Sequence, residues 1–236
     1  MFFSCRYFPF GEQTMQNPLN ARQQALIPVA ALAAEGNIAA LAHALAHALD
    51  TALDTGLTIN ELKETLVQLY AYCGFPRSLN ALSCLMKVIT ERQARGVIDN
   101  EGATATPLPE NWDSLQAGSR NQTQLVGQTV SGPLFDFAPA IDCYLKAHLF
   151  GDIFQRDVLD WSTRELATIS MLAALSGVES QLKSHYAISL HNGLTAQQLR
   201  GFIDVLATKV SGGIAEKASA MLEQVIIEKQ QDGTRL

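Results

Sequence analysis

Gly56-Leu57-Thr58 recurs as Gly193-Leu194-Thr195, 137 residues further along the chain. In each copy the glycine ends a helical pattern, as a C′ residue does, and the threonine opens the next one. A capping-box partner follows three residues on, Glu61 in the first copy and Gln198 in the second. Upstream, Ala21-Arg22-Gln23-Gln24-Ala25-Leu26-Ile27 resembles Thr163-Arg164-Glu165-Leu166-Ala167-Thr168-Ile169 at an offset of 142, so the first copy is five residues longer between these landmarks. Such a duplication implies a pseudo-two-fold inside the chain or a ring of alternating repeats. The copies differ where chemistry would sit. His185 falls opposite Ala44 or Ala48, and Glu165 opposite Gln23. Conversely, Tyr72-Cys73-Gly74-Phe75-Pro76 stands where the second copy has the looser Lys209-Val210-Ser211-Gly212-Gly213.

Apolar residues recur at helical spacing almost throughout, and no alternating strand pattern appears, so the expected fold is all-α. Helices are expected over about 20–35, with a kink at Pro28, and over about 37–55. A third runs from the Thr58 cap to Cys73-Gly74, and a fourth from Pro76 to about Gln93. From Gly96 to Gly132 the periodicity is lost and Gly, Pro, Asn, Thr and Ser dominate, as in a long connector. Helices resume over about 134–150, turning at Phe150-Gly151. Ser162 reads as the next N-cap, with Glu165 at N3 and Trp161 and Leu166 as a hydrophobic staple. Helices over about 179–191, from Thr195, and over about 213–228 complete the chain. The organisation is an N-terminal extension (1–19), a first repeat (20–95), a linker (96–133) and a second repeat (134–236).

Charged residues make up only 17% of the 236 residues against 47% hydrophobic, which points to helix faces buried between subunits. A formal charge of −6 without a basic cluster excludes nucleic acid as a natural partner. The four cysteines, Cys5, Cys73, Cys84 and Cys143, form no CxxC and no zinc spacing, as expected of reduced thiols in a cytoplasmic protein. No apolar run is long enough to span a membrane. The aromatic opening MFFSCRYFPF lacks the plan of a signal peptide, and Met15 is an alternative start.

Several segments carry a family resemblance: Phe150-Gly151-Asp152-Ile153-Phe154, Trp161 to Leu175, Leu182-x-x-His185, His191-Asn192-Gly193-Leu194-Thr195 and Tyr72-Cys73-Gly74-Phe75-Pro76. In these the sequence resembles the carboxymuconolactone decarboxylase family, which includes the AhpD-like alkylhydroperoxidases. The resemblance implies an all-α tandem fold and a homotrimer mimicking a ring of six repeats. The peroxidase branch uses a Glu, a CxxC and a His, and no cysteine lies between Glu165 and His185. Without two thiols there is no disulfide cycle. The decarboxylase branch keeps the LxxH helix followed by NG(V/L)T, as here. It implies cofactor-free loss of CO₂ from a small lactone or keto acid.

His185 is the candidate acid/base, since imidazole titrates near neutrality. Glu165 is a candidate helper, but its capping-box position offers a structural role. A plain hairpin turning at Val178 would also offset it from His185 by roughly 9 Å. Arg164 and Arg77 are candidate binders of a substrate carboxylate, Arg77 in the first turn after Pro76. His148 and Asp152 are candidate substrate contacts. His43 and His47, four apart, lack a third metal ligand, and no metal site is expected. The rival readings are a thiol peroxidase or disulfide reductase using Cys73 or Cys84, and a non-catalytic oligomer that binds small molecules.

Overall fold

A computed structural model describes residues 17–231 and 233, apart from the side chains of 38–41; Met15 and the aromatic opening lie outside the described residues. The fold is all-α, with no strand among the described residues. In the first repeat, α1 (Ala21–Glu35) starts at a capping box between Asn20 and Gln23 and carries Pro28 in its interior. It is followed by α2 (Ile38–Asp54) and α3 (Ile59–Ala94). Thr58 and Glu61 form the expected box at the start of α3. At Gly74 (φ 79°, ψ 159°) α3 bends into two arms, so the expected pair of helices appears as one bent element. Only glycine takes that φ without steric cost. The Ser78 hydroxyl donates to Leu66 O at 2.6 Å and ties the second arm back onto the first.

The second repeat contains α7 (Trp161–Ala173), α8 (Glu179–His191), α9 (Ala196–Lys209) and α10 (Gly212–Gln231). Ahead of α7 come α4 (Ser114–Val126), in the linker, and then α5 (Pro133–Phe137), α6 (Pro139–Tyr144) and a π-helical segment, Leu145–Ile153, which lead into the second repeat. The stretch read as a structureless connector therefore holds a helix. Ala117, Gly118, Gln122 and Leu125 form its buried face, and only one of these is a large apolar residue. The backbones of α4 and the π-helix meet closely. A Cβ on Gly118 would collide with Lys146 O, and one on Gly151 with Ser114 O.

α1 and α7 pack against each other at the centre. Each buries ten consecutive residues, Ala25 to Ala34 and Arg164 to Ala173. The first stretch is wholly apolar, as expected of a helix covered on all sides. The second carries Arg164, Glu165, Thr168 and Ser170 into the same interior. Leu26, Leu49, Leu62 and Leu66 anchor the first repeat's core, and Leu166, Tyr186, Phe202 and Leu222 the second's. Phe150, Phe154 and Leu125 form a third cluster beneath the linker helices. Tyr72, at the end of the first arm of α3, packs against all three.

Arg92 fastens the far end of α3. Its buried guanidinium donates to Asp99 through Nε (2.9 Å), to Asp50 through Nη1 (2.7 Å) and to Asp54 through Nη2 (2.8 Å). Asp99 is itself buried, with its side chain 6% exposed. Arg92→Met should strand that carboxylate and cost about 3–5 kcal/mol in denaturant unfolding. The Arg92 hydrogen bond also holds the Asp50 carboxyl below its usual range. A depressed folded-state value gives stability that is complete above the unfolded pKa, near ~4, and is lost as pH falls through the folded one. The share of the Arg92→Met deficit that comes from Asp50 should accordingly be lost in acid, in unfolding curves taken below about pH 4.

Candidate functional site

The N-cap of α7 is Asp160, not Ser162: its carboxylate accepts from Thr163 N at 2.7 Å. That moves Glu165 two positions deeper into the helix, so it takes no part in a capping box. The expected Trp161–Leu166 staple is absent for the same reason. Trp161 instead opens the helix and donates its indole N–H to Phe154 O at 3.0 Å. Freed from capping, Glu165 is completely buried at the centre of the molecule.

Glu165 Oε2 lies 2.8 Å from His185 Nδ1. The offset expected from the sequence does not arise, because the α7–α8 connection is the five-residue loop 174–178 and not a point turn at Val178. Glu165 sits eight residues before the end of α7 and His185 six after the start of α8. That is a mismatch of two residues, ~3 Å along the axes, which the side chains span. With the carboxylate ionised, Nδ1 carries the hydrogen and donates, leaving Nε2 for chemistry. The His185 side chain is 13% exposed and that of Glu165 0%. The other Glu165 oxygen, Oε1, is buried with no hydrogen-bond partner among the described residues.

The first repeat completes this surrounding. The Tyr72 ring meets the His185 imidazole edge-on, with centroids 5.7 Å apart. Burial drives the Tyr72 phenol far above its ordinary pKa, and the nearby Glu165 carboxylate drives it further, so the hydroxyl keeps its proton. Glu64, Gln68 and Tyr72 stand four residues apart on one face of α3, toward α7. Gln68 donates to Thr168 Oγ1 (2.8 Å) and to Arg164 O (3.0 Å), and accepts from Arg164 Nη1 (2.9 Å). The Thr168 hydroxyl lies 3.4 Å from that of Tyr72. Glu64 accepts from Arg164 Nη2 at 3.1 Å and from Arg156 Nε at 2.9 Å. Sequence reasoning missed Glu64, Gln68 and Tyr72. Their signal was a run of polar side chains at four-residue spacing, Glu64, Gln68 and Tyr72, along one face of a helix.

This network corrects the reading of Arg164. It is fully buried and donates to Glu64, Gln68 and Arg156 O, with its guanidinium 5.8 Å from the Phe154 ring centre. Burial lowers its pKa, and Glu64 opposes the shift. Arg164 is thus committed to the core rather than presented to a ligand. Arg77 lies elsewhere, lining a small pocket of about 70 Å³ with Leu45 and Cys84. His148 and Asp152 do not flank a turn, because Phe150-Gly151 is inside the π-helix. They pair across it at 2.8 Å, half exposed, with His148 against Tyr70 and Asp152 accepting from the Ser114 hydroxyl. The structure joins Glu165 to His185 and leaves Arg77, His148 and Asp152 in separate contacts.

Burial pushes the Cys73 thiol up to about 11 against the pull of Arg77, and burial also raises Cys84. Neither is a ready thiolate nucleophile. No helix among the described residues is long and apolar enough to cross a membrane.

No curated protein matches the chain at a significant level. The sequence model described as "Carboxymuconolactone decarboxylase family" matches it in two segments, residues 6–86 and 139–224. These fall on the two helical repeats on either side of the linker helices and together cover more than two thirds of the sequence, so the chain is a two-repeat member of the carboxymuconolactone decarboxylase family.

Proposed function

We propose that the protein is a cofactor-free decarboxylase of a small lactone acid of the 4-carboxymuconolactone type, with Glu165 and His185 as its proton-handling pair. The observation that carries the reading is the buried 2.8 Å contact between these two side chains. A carboxylate and an imidazole enclosed together between two repeats cost stability, and a fold retains such a pair where it serves chemistry.

In such a substrate the departing carboxylate sits on a saturated carbon conjugated, through a C=C bond, to the lactone carbonyl. Breaking the bond to CO₂ leaves an electron pair that moves through the C=C bond into the carbonyl, giving a dienolate. A proton then joins the carbon next to the carbonyl and yields the enol lactone. His185 takes up a proton from solvent at Nε2, is stabilised as the imidazolium by the Glu165 carboxylate on Nδ1, and passes the Nε2 proton to that carbon. The Tyr72 hydroxyl, kept protonated by its surroundings, stabilises the developing oxyanion. Tyr72 also packs against the apolar cluster of Phe150, Phe154 and Ile188, and apolar surroundings of that kind favour loss of a charged carboxylate.

The thiol-peroxidase alternative lacks support: burial raises the pKa of the partly buried Cys73 and Cys84, and no CxxC is present. The same reading includes a homotrimer. Exposed Phe75, Leu79 and Met86 on α3, and Leu134, Phe137 and Ile141 on α5 and α6, supply apolar surface for it.

The purified protein should release CO₂ from 4-carboxymuconolactone well above the buffer rate, and Cys73→Ala should release it equally fast. A wild-type rate no higher than buffer, or peroxide turnover abolished by Cys73→Ala, would overturn the assignment.

A further inference from the structure

The first repeat contains a degenerate copy of this site, and it is hollow. The N-caps Asn20 and Asp160 set an offset of 140 between the two helices, not the 142 of the sequence alignment, so Glu165 corresponds to Ala25 and not to Gln23. Counted back from Gly56 and Gly193, which end the two hairpins, His185 corresponds to Ala48. Counted from the N-caps Thr58 and Thr195, Tyr72 corresponds to Lys209. These three positions, far apart in sequence, line a single pocket of about 350 Å³ between α1 and α2. The space taken up by a carboxylate and an imidazole in one repeat is opened by two alanines in the other. Lys209 reaches it from the opposite repeat, as Tyr72 reaches His185.

Ala25, Ala48, Pro28 and Leu32 give the pocket an apolar floor. Its ionisable lining groups are Lys209 and His47, at the exposed rim, and no carboxylate lines it. Lys209 makes no ion pair with any described residue. The volume lies at the lower end of the range for small-molecule pockets, ~300–1,000 Å³.

We infer that this pocket is a second, non-catalytic binding site for a small apolar carboxylate, seated on the alanine floor with its anionic end toward Lys209. The site binds without turnover, because the acid/base pair that its counterpart carries has been replaced by methyl groups. The inference is independent of the reaction proposed for Glu165 and His185.

Benzoate is a suitable probe, with benzyl alcohol as its uncharged counterpart, read by methyl-resolved NMR of the alanines in the full-length protein. Benzoate should shift the Ala25 and Ala48 methyls saturably, with half-saturation in the millimolar range. Benzyl alcohol should bind about fivefold more weakly, and Lys209→Gln should reduce benzoate affinity by about the same factor, the scale of an exposed charge pair. Ala48→Phe, which fills the pocket, should abolish the shifts. His185→Ala should leave them unchanged, which separates this site from the proposed catalytic one. Silent Ala25 and Ala48 methyls, equal binding of the alcohol, or an unaffected Lys209→Gln would overturn the inference. So would shifts that follow protein concentration and not benzoate, since the occupant would then be a second copy of the chain.

Discussion

Glu165→Gln is expected to fold normally and to lose about 10²–10⁴ of the decarboxylation rate, the range attributed to a positioned acid/base group. The replacement is isosteric, so the packing around α7 and α8 is kept. What changes is the hydrogen bond to Nδ1. An ionised carboxylate only accepts, so it fixes Nδ1–H and aims the free Nε2. An amide offers both N–H and C=O and no charge, so it neither fixes the tautomer nor stabilises an imidazolium. The loss should appear in kcat more than in KM, because His185 acts on the dienolate and not on the resting lactone. The stability change should stay within about 1–3 kcal/mol, the cost of burying one unmatched amide group. Steady-state CO₂ release together with a denaturation curve measures both quantities on one preparation.

Glu64→Ala should give the opposite pattern, a large loss of stability. Glu64 is 5% exposed and bridges Arg156 and the fully buried Arg164. Without it, Arg164 keeps its bonds to Gln68 and Arg156 O but loses its only counter-charge among the described contacts. An uncompensated buried charge costs about 3–5 kcal/mol. For a chain of this length that lowers Tm by roughly 10 °C. Glu64→Gln, which restores an acceptor without the charge, should recover part of the loss. Thermal unfolding of the three proteins checks this ordering. A Glu64→Ala protein as stable as wild type would mean that water already solvates Arg164.

Most of the helices, and the duplication behind them, were legible because their signals are local. The Thr58–Glu61 and Thr195–Gln198 boxes start helices at those residues. Gly56 and Gly193, both at positive φ, mark the ends of the hairpins. Where short-range signals compete, the reading drifted. Asp160 and Ser162 are both good N-caps two residues apart, and choosing the second turned Glu165 from a buried acid into a capping residue. Helix α4 was hidden because its buried face uses Ala, Gly and Gln, where close approach of the backbones replaces large apolar side chains. His185 was visible as a lone histidine in a family motif. Its partner could be judged only once the length of the α7–α8 loop was known. The contribution of Tyr72 depends on the packing of one repeat against the other, which no local pattern encodes. A buried arginine and a ligand-binding one look alike in sequence, and only the packing of α3 against α7 places Glu64 and Gln68 against Arg164.

His185 is the proposed proton donor, and CO₂ release from 4-carboxymuconolactone by His185→Ala beside the wild type, both shown to be folded by circular dichroism, tests that role most directly. The prediction is a wild-type rate well above buffer and a variant rate lower by about 10² or more. A folded His185→Ala protein that releases CO₂ at the wild-type rate would contradict it.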